Sequence, residues 1–215
     1  MVYFQGGFMA EKKYPATLTI DYQEKADRLT AFFRGFVAVP ILIIFAFVAG
    51  PVNDESWFVA HKYYYAAGGF IFIPTILMLL FRHKYPKWWY DWNINLLQFG
   101  LRVISYLLLL THEYPSTDEE QSVHLDIPYP DAKKELSKGM PLIKWFFTIP
   151  HLFILAFLWT AVVFITIVAW LAILFTGNYP KGMWEFTVGV LRWTIRVDAY
   201  CFLLTTDEYP PFSLD

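Results

Sequence analysis

Five polar side chains that follow Tyr90 are spaced so that they fall on one face of a helix. The intervals alternate between four and three residues, which keeps these side chains in register with the helical turn. Tryptophan, leucine and phenylalanine cover much of the remaining surface. A carboxylate, two amides, a guanidinium and a hydroxyl in one row could line a polar path, bind a partner or face water. They are Asp91, Asn95, Gln98, Arg102 and Ser105.

A second stripe lies at matching positions in the second half of the chain and comprises Glu185, Gly189, Arg192, Arg196 and Ala199. In both stripes an acid comes first and arginine follows, which complements the helix dipole. The pattern favours interfacial helices that lie flat, with the stripe toward water and the aromatic face in lipid. Two alternatives stay open: the stripes line a polar cavity or subunit interface, or they pack against a cytoplasmic sheet. In the inward arrangement, Asp91 would meet Arg196, and Glu185 would meet Arg102.

His151 lies within a long apolar run, where an ionisable side chain is a functional candidate. The context favours a neutral histidine that donates a hydrogen bond to a nearby carbonyl, and the alternative is a proton or ligand role. It directly follows Pro150, and Pro40 has the equivalent place in the first half. Each proline removes a helical N–H donor, which predicts a kink. The alternatives are a hinge or a freed carbonyl that coordinates a cation.

A block of aromatic and basic residues surrounds the motif Tyr85-Pro86. Such blocks anchor proteins at the membrane–water boundary, where basic side chains, here including Arg82, meet anionic headgroups. A basic residue also stands at the start of each apolar region, and we expect its side chain to extend to the same boundary. The residues predicted to contact lipid headgroups are Arg34, Lys84, Lys87, Trp88, Trp89 and Lys144.

Other kinds of chemistry have little support in the sequence. The single cysteine, Cys201, excludes an intrachain disulfide and a cysteine zinc cluster. No His-Glu-x-x-His motif, phosphate-binding loop, nucleophile elbow or evident carboxylate pair occurs. The formal net charge of −2 gives no reason to expect nucleic acid as a partner. We therefore predict no catalytic residues, no metal and no cofactor.

The composition predicts a membrane protein. Hydrophobic residues make up 57% and charged residues 17% of the chain, against about 45–50% and about 25% in ordinary globular domains. Ala31–Gly50 and Tyr65–Phe81 each suit a short transmembrane helix, with a loop at Pro51–Tyr64. A straight helix over Leu142–Phe175 would be about 51 Å long, so we predict two short helices with a tight turn near Trp159-Thr160. One long tilted helix is the alternative.

Four spans in two hairpins would fix the orientation of the chain. Only one basic residue, Lys62, would lie at a hairpin tip, and the others would lie on the opposite side or at its boundary. Basic residues favour the cytoplasmic side, which predicts a multi-pass protein of the inner cell membrane with both termini in the cytoplasm. The expected partners are membrane lipids and either further copies of the chain or a larger membrane complex.

The sequence also predicts an internal repeat. The segment Leu80–Lys87 recurs as Leu174–Lys181, and His112–Pro115 recurs as Asp207–Pro210. We expect repeat 1 over residues 14–115, a linker at 116–122 and repeat 2 over residues 123–215, while residues 1–8 look like the scar of a protease site. The fold class is a mainly α membrane protein with tandem-repeat hairpins, interfacial amphipathic helices and a small cytoplasmic β-sheet. Its predicted strands are Thr17–Tyr22, Val123–Ile127, Leu107–Thr111 and Phe202–Thr206.

Three features of the sequence resemble a known family. They are the recurring Tyr-Pro, the Phe-Arg-Gly-Phe of residues 33–36 and the Leu-Leu-Thr-Thr-Asp-Glu-Tyr-Pro-Pro-Phe-Ser of residues 203–213. With the doubled layout, they resemble an uncharacterised prokaryotic membrane family catalogued as domain of unknown function 4389. The resemblance extends over nearly all of Tyr14–Leu214, although Ser116 follows the first Tyr-Pro where the second copy has Pro211. It implies a membrane location and no particular activity.

These observations predict a non-enzymatic integral membrane protein that acts as a scaffold or accessory subunit and is oligomeric. The alternative is an oligomeric ion channel or small carrier lined by the two polar stripes. A lipid-modifying enzyme has the least support, because no acid–base pair is evident.

Overall fold

Helices make up most of the described structure. The computed structural model of the protein describes residues 14–23, 25–49 and 72–215. Its short strands are β1 (Thr17–Ile20) and β2 (Val123–Asp126). Its α-helices are α1 (Arg28–Val37), α2 (Val39–Ala49), α3 (Phe72–Leu77), α4 (Lys87–Leu107), α5 (Ala132–Glu135), α6 (Met140–Thr176) and α7 (Lys181–Cys201). A π-helical turn at Met78–Arg82 follows α3 directly.

Helices α1 and α2 form an almost continuous helix over most of the first predicted span. The Asp27 carboxylate accepts the amide hydrogens of Leu29 and Thr30 and so caps the start of α1. A single residue, Ala38, separates the two helices and precedes Pro40 by two positions. Proline lacks an amide hydrogen and crowds the preceding turn, so an interruption beside Pro40 is the expected result.

Helix α6 is one uninterrupted helix of 37 residues. The predicted hairpin with a turn near Trp159-Thr160 is therefore wrong, and the alternative of one long helix is correct. Between Pro150 and Gly177 the sequence contains no glycine, proline or asparagine that would end a helix, and the Thr160 hydroxyl bonds back to the Ala156 carbonyl. Gly177 then ends α6 in a left-handed conformation, with a φ of 78°. Pro150 lies inside the helix without breaking it.

Two helical stretches are long and apolar enough to cross a membrane, namely Arg28–Ala46 and Met140–Thr176. The four predicted spans are thus not supported. Of the predicted span Tyr65–Phe81, only the end is described, and it comprises α3 and the π-helical turn. The predicted loop Pro51–Tyr64, the hairpin-tip residue Lys62 and residues 1–8 lie outside the described residues.

Strands β1 and β2 pair in an antiparallel sheet, with Leu18 opposite Leu125. This sheet confirms the strands predicted at Thr17–Tyr22 and Val123–Ile127. The other two predicted strands, Leu107–Thr111 and Phe202–Thr206, are wrong because these residues close the ends of α4 and α7. The Leu110 amide donates to the Ser105 carbonyl at 2.9 Å, and the Leu203 amide donates to the Asp198 carbonyl at 2.8 Å. Amide hydrogens used in this way are not free to extend a sheet.

Helix α7 lies between α6 and the sheet. It packs against α6 on one side and against β1 on another, whereas β2 packs against α4. Trp184 and Trp193 of α7 are 8% and 5% exposed, so its aromatic side chains lie in the core. The prediction that α7 has an aromatic face in lipid is therefore wrong. Helix α4 is more exposed at its start, where Trp88 and Trp92 reach the surface.

Candidate functional site

The ammonium group of Lys144 is fully buried, with 0% of the residue exposed. Its Nζ lies 2.8 Å from Asp207 Oδ1 and donates to the Thr206 carbonyl at 2.7 Å. It also lies 4.9 Å from the centre of the Tyr200 ring, which is a cation–π distance. The prediction that Lys144 extends to lipid headgroups is wrong, because its charge is compensated inside the protein.

Asp207 connects the start of α6 to the segment that follows α7. While Oδ1 faces Lys144, Oδ2 accepts the Ser137 amide hydrogen at 2.6 Å. The sequence analysis missed this residue as a functional candidate. The signal was its place immediately before Glu208-Tyr209-Pro210, where the first half of the chain has His112.

Arg34 occupies a second buried cation site, built from α1 and the end of α4. Its Nη1 donates to the Tyr106 carbonyl at 2.7 Å, and its carbon Cζ lies 4.4 Å from the centre of the Tyr106 ring. Its Nη2 lies 3.1 Å from His112 Nδ1. Arginine only donates, so Nδ1 accepts, and burial together with the Arg34 charge lowers the pKa of His112. Arg34 is 3% exposed, so its predicted contact with headgroups is also wrong.

The first polar stripe lies partly in solvent and partly in the protein core. Asp91 forms an exposed ion pair with Lys87 at 2.8 Å, and Asn95 is exposed. Gln98 is half-buried, whereas Arg102 is buried and donates to the Ser116 carbonyl at 2.8 Å. The inner end of the stripe therefore holds the loop that follows α4, and the predicted pair of Asp91 with Arg196 is not formed.

The second stripe holds segments from both ends of the chain. Arg192 Nε donates to the Leu18 carbonyl at 3.0 Å, and Arg196 Nη1 donates to the Ser213 carbonyl at 3.3 Å. Glu185 lies 3.8 Å from Lys181, so its predicted pair with Arg102 is not formed either. A Cβ on Gly189 would lie 2.7 Å from the Leu214 carbonyl oxygen, which explains why the smallest residue stands there.

His151 is enclosed by aromatic side chains and is 0% exposed. Its Nδ1 accepts the Trp193 Nε1 hydrogen at 2.9 Å, and its ring stacks on Phe212 with 3.9 Å between centres. Tryptophan only donates, so this bond selects the neutral tautomer with hydrogen on Nε2. Nε2 has no hydrogen-bond partner among the described residues. The predicted bond to a carbonyl is therefore not formed, and the nearby Tyr209 hydroxyl donates to the Phe147 carbonyl instead.

Three of the four remaining predicted headgroup contacts, Lys84, Lys87 and Trp88, line a basic cleft of about 430 Å³. We use this name for the cleft lined by Met78, Arg82, Lys84, Pro86, Lys87, Trp88 and Tyr129. The neighbouring Tyr85 is buried, and its hydroxyl donates to the Leu203 carbonyl at 2.7 Å. Trp89 turns away and donates to the Thr75 hydroxyl. Exposed Leu77, Phe81 and Trp88 lie in the same part of the chain, so charge and apolar surface meet there.

No group of three or more metal-binding side chains of histidine, cysteine, aspartate or glutamate occurs in the described parts of the chain. One titratable group was missed by the sequence analysis. Asp198 lies in the last turn of α7, partly buried, and burial raises the pKa of its carboxyl to about 7. The sequence feature that could have identified Asp198 is a carboxylate among apolar neighbours on a helix.

Asp198→Asn is expected to flatten the pH dependence of stability between about pH 4 and pH 7. The unfolded chain loses this proton near its ordinary pKa, whereas the folded chain keeps it to about pH 7, so stability falls across that window as pH rises. The variant should therefore be more stable at pH 8, by about 2 kcal/mol for this partly exposed group. Thermal unfolding in detergent at several pH values measures this. Glu185→Gln is the exposed control, and identical slopes for wild type and Asp198→Asn would contradict the assignment.

Comparison with known proteins gives one family. The model of the family described as Domain of unknown function (DUF4389) matches residues 141–213. Neither the curated proteins nor the solved structures gave a match. The matched segment contains the Lys144–Asp207 pair and the aromatic enclosure of His151. The family resemblance expected from the sequence is therefore confirmed for residues 141–213.

Proposed function

We propose that the protein is an integral membrane scaffold or accessory subunit, which holds a rigid polar layer against the bilayer. The observation that carries this proposal is the contrast between the two sides of its apolar helices. Their outer sides expose phenylalanines such as Phe36, Phe146 and Phe175, at 76%, 72% and 79%. Their inner sides carry the fixed cations Arg34 and Lys144. Helices of a water-soluble core would bury those aromatic rings, whereas lipid solvates them.

Rigidity between the two halves supports a scaffold rather than a moving carrier. The Tyr22 hydroxyl donates to the Tyr179 carbonyl at 2.8 Å. In the reverse sense, the Tyr129 hydroxyl donates to the Tyr85 carbonyl. Each half thus supplies a tyrosine that binds the Tyr-Pro turn of the other half. These reciprocal hydrogen bonds support the internal repeat. The corresponding strands are exchanged as well, since β1 packs on α7 and β2 packs on α4.

The oligomeric channel has less support. Arg102 and Arg196, the strongest pore-lining candidates, bind the carbonyls of Ser116 and Ser213. We retain the multi-pass arrangement with both termini in the cytoplasm as part of the proposal.

Membrane integration and ion flux test this function directly. We expect the chain to stay in the membrane pellet after alkaline carbonate extraction. Liposomes that contain it should show the ion flux of empty vesicles. Release by carbonate would contradict membrane integration. Flux that Arg102→Ala and Arg196→Ala abolish, and that the exposed control Lys181→Ala leaves intact, would favour the channel. Purification from native membranes in mild detergent should return further copies or a partner, and a lone monomer would count against a scaffold.

We further propose that the basic cleft binds the phosphate of anionic lipids. Asp91 already forms an ion pair with Lys87 and so competes with a lipid phosphate for this ammonium group. Asp91→Asn should therefore tighten lipid binding and Lys87→Gln should weaken it, each by a few-fold, as expected for an exposed ion pair. Lys181 and Glu185 form a matched exposed pair at the start of α7. Lys181→Gln and Glu185→Gln should therefore change nothing. Thermal shift with phosphatidylglycerol, phosphatidylcholine or inorganic phosphate measures the effect, and equal shifts for all variants would contradict it.

A further inference from the structure

The outer face of α6 carries no exposed charge and is mostly apolar. The two ionisable residues of this helix, Lys144 and His151, are both 0% exposed and face inward. The outward side chains recur every three or four residues. Among them are Leu142, Phe146, Phe153, Phe157, Phe164, Leu171 and Phe175.

The inner face of α6 contacts the rest of the protein at the start, the middle and the end of the helix. Lys144 forms its ion pair near the start. Trp159 Nε1 donates to the Thr194 hydroxyl at 3.1 Å near the middle. Just beyond the end, the Gly177 carbonyl accepts the Ala26 amide hydrogen at 2.8 Å. No long stretch of α6 therefore projects away from the protein as a free membrane anchor would.

The side of α7 that faces away from α6 is covered by a polar segment and the sheet. The segment that contains β1 runs beside α7 from Tyr14, whose hydroxyl donates to the Arg196 carbonyl, to Tyr22, which donates to the Tyr179 carbonyl. Asp21 and His124 lie 3.7 Å apart on the sheet, with side chains that are 70% and 56% exposed. Apolar helix, core helix and water-exposed sheet therefore form successive layers.

From these layers we infer that α6 lies in the plane of the membrane, with its outer face embedded in one lipid leaflet. This inference rests on the proposed membrane location and names the surface that makes the contact. The partner is the acyl chains of a single leaflet, because the polar sheet behind α7 requires water on the other side.

A crossing orientation would be costly for two separate reasons. A helix of 37 residues is about 55 Å long, against a hydrocarbon core of about 30 Å. Crossing along the membrane normal would also carry the sheet into hydrocarbon, because Arg192 of α7 binds the Leu18 carbonyl of β1 close to Thr194, which binds Trp159 in the middle of α6. The sheet exposes Asp126 at this level, opposite Thr17. A charge at that depth costs about 2.5–3.5 kcal/mol even on an insertion scale. The in-plane orientation removes both conflicts.

Spin labels at matched exposed positions test the orientation. The background is Cys201→Ala, which removes the single thiol. The labelled variants are Phe146→Cys, Phe157→Cys, Phe164→Cys and Phe175→Cys, each in vesicles of phosphatidylcholine and phosphatidylglycerol. Asn95→Cys, exposed on α4, is the control for a water-accessible site. The measurement is the ratio of label accessibility to oxygen, which enters lipid, and to a water-soluble nickel chelate.

We expect one common depth for the four α6 labels and full water accessibility at Asn95. A profile that is deepest at Phe157 and Phe164, with both ends shallow, would overturn the in-plane orientation and leave the membrane function standing. Four water-accessible labels would overturn both. All four substitutions remove exposed rings, so the fold should be retained, and circular dichroism checks this for each variant.

Discussion

Asp207→Ala lowers the free energy of unfolding by about 3–5 kcal/mol, the cost of leaving a buried charge without its partner. Lys144 is 0% exposed and lies 2.8 Å from the lost carboxylate, so it cannot regain solvent without opening the segment after α7. The variant also removes the acceptor of the Ser137 amide. Chemical denaturation in a fixed detergent, followed by tryptophan fluorescence, measures the change.

The matched variants separate the charge effect from simple loss of packing. Glu208→Ala, one residue further, should cost much less. Lys144→Met combined with Asp207→Ala should recover a large part of the lost stability, because no unpaired charge then remains. If the free energy lost in the double variant equals the sum of the losses in the two single variants, Lys144 and Asp207 do not interact.

Thr160→Pro is expected to cost about 3 kcal/mol or more, the penalty of a proline inside a helix. Thr160 is exposed on α6, so the substitution tests the backbone and leaves the core packing intact. It removes one helical N–H and crowds the preceding turn. Thermal unfolding and helical content by circular dichroism measure the effect.

Thr160→Ala serves as the control, because it keeps the amide hydrogen and loses only the hydroxyl contact with the Ala156 carbonyl. We expect it to change stability by less than about 1 kcal/mol. A hairpin with its turn at this position would accept proline readily. Wild-type stability of Thr160→Pro would therefore show that α6 is not one helix.

Local pattern predicted part of this fold. The apolar run Ala31–Gly50 and the period-two alternation at Thr17–Tyr22 predicted a helix and a strand close to their observed positions. The prediction failed for α6, where the length of the apolar run suggested a turn although no residue in it breaks the helix. The run that forms α6 looked too long for one span, yet it contains nothing that would bend the chain back.

The candidate site was predicted only in part, because its partners are distant in sequence. Arg34 and Lys144 were recognised as equivalent cations, but their burial depends on His112 and Asp207, which follow other helices. Spacing along one helix likewise could not show that Arg102 would bind a loop carbonyl. The residues of the basic cleft were easier to anticipate, since Lys84, Lys87 and Trp88 are neighbours in the chain.

The exchange of Tyr22 and Tyr129 between the halves has a consequence for biosynthesis. Strand β1 is among the first described segments to leave the ribosome, yet its sheet partner begins at Val123 and its helical support, α7, begins at Lys181. Contacts this far apart in sequence form slowly and late. We therefore expect the N-terminal half to remain incomplete until nearly the whole chain is made. Its early apolar helix would then need the bilayer, or a chaperone, as a temporary partner.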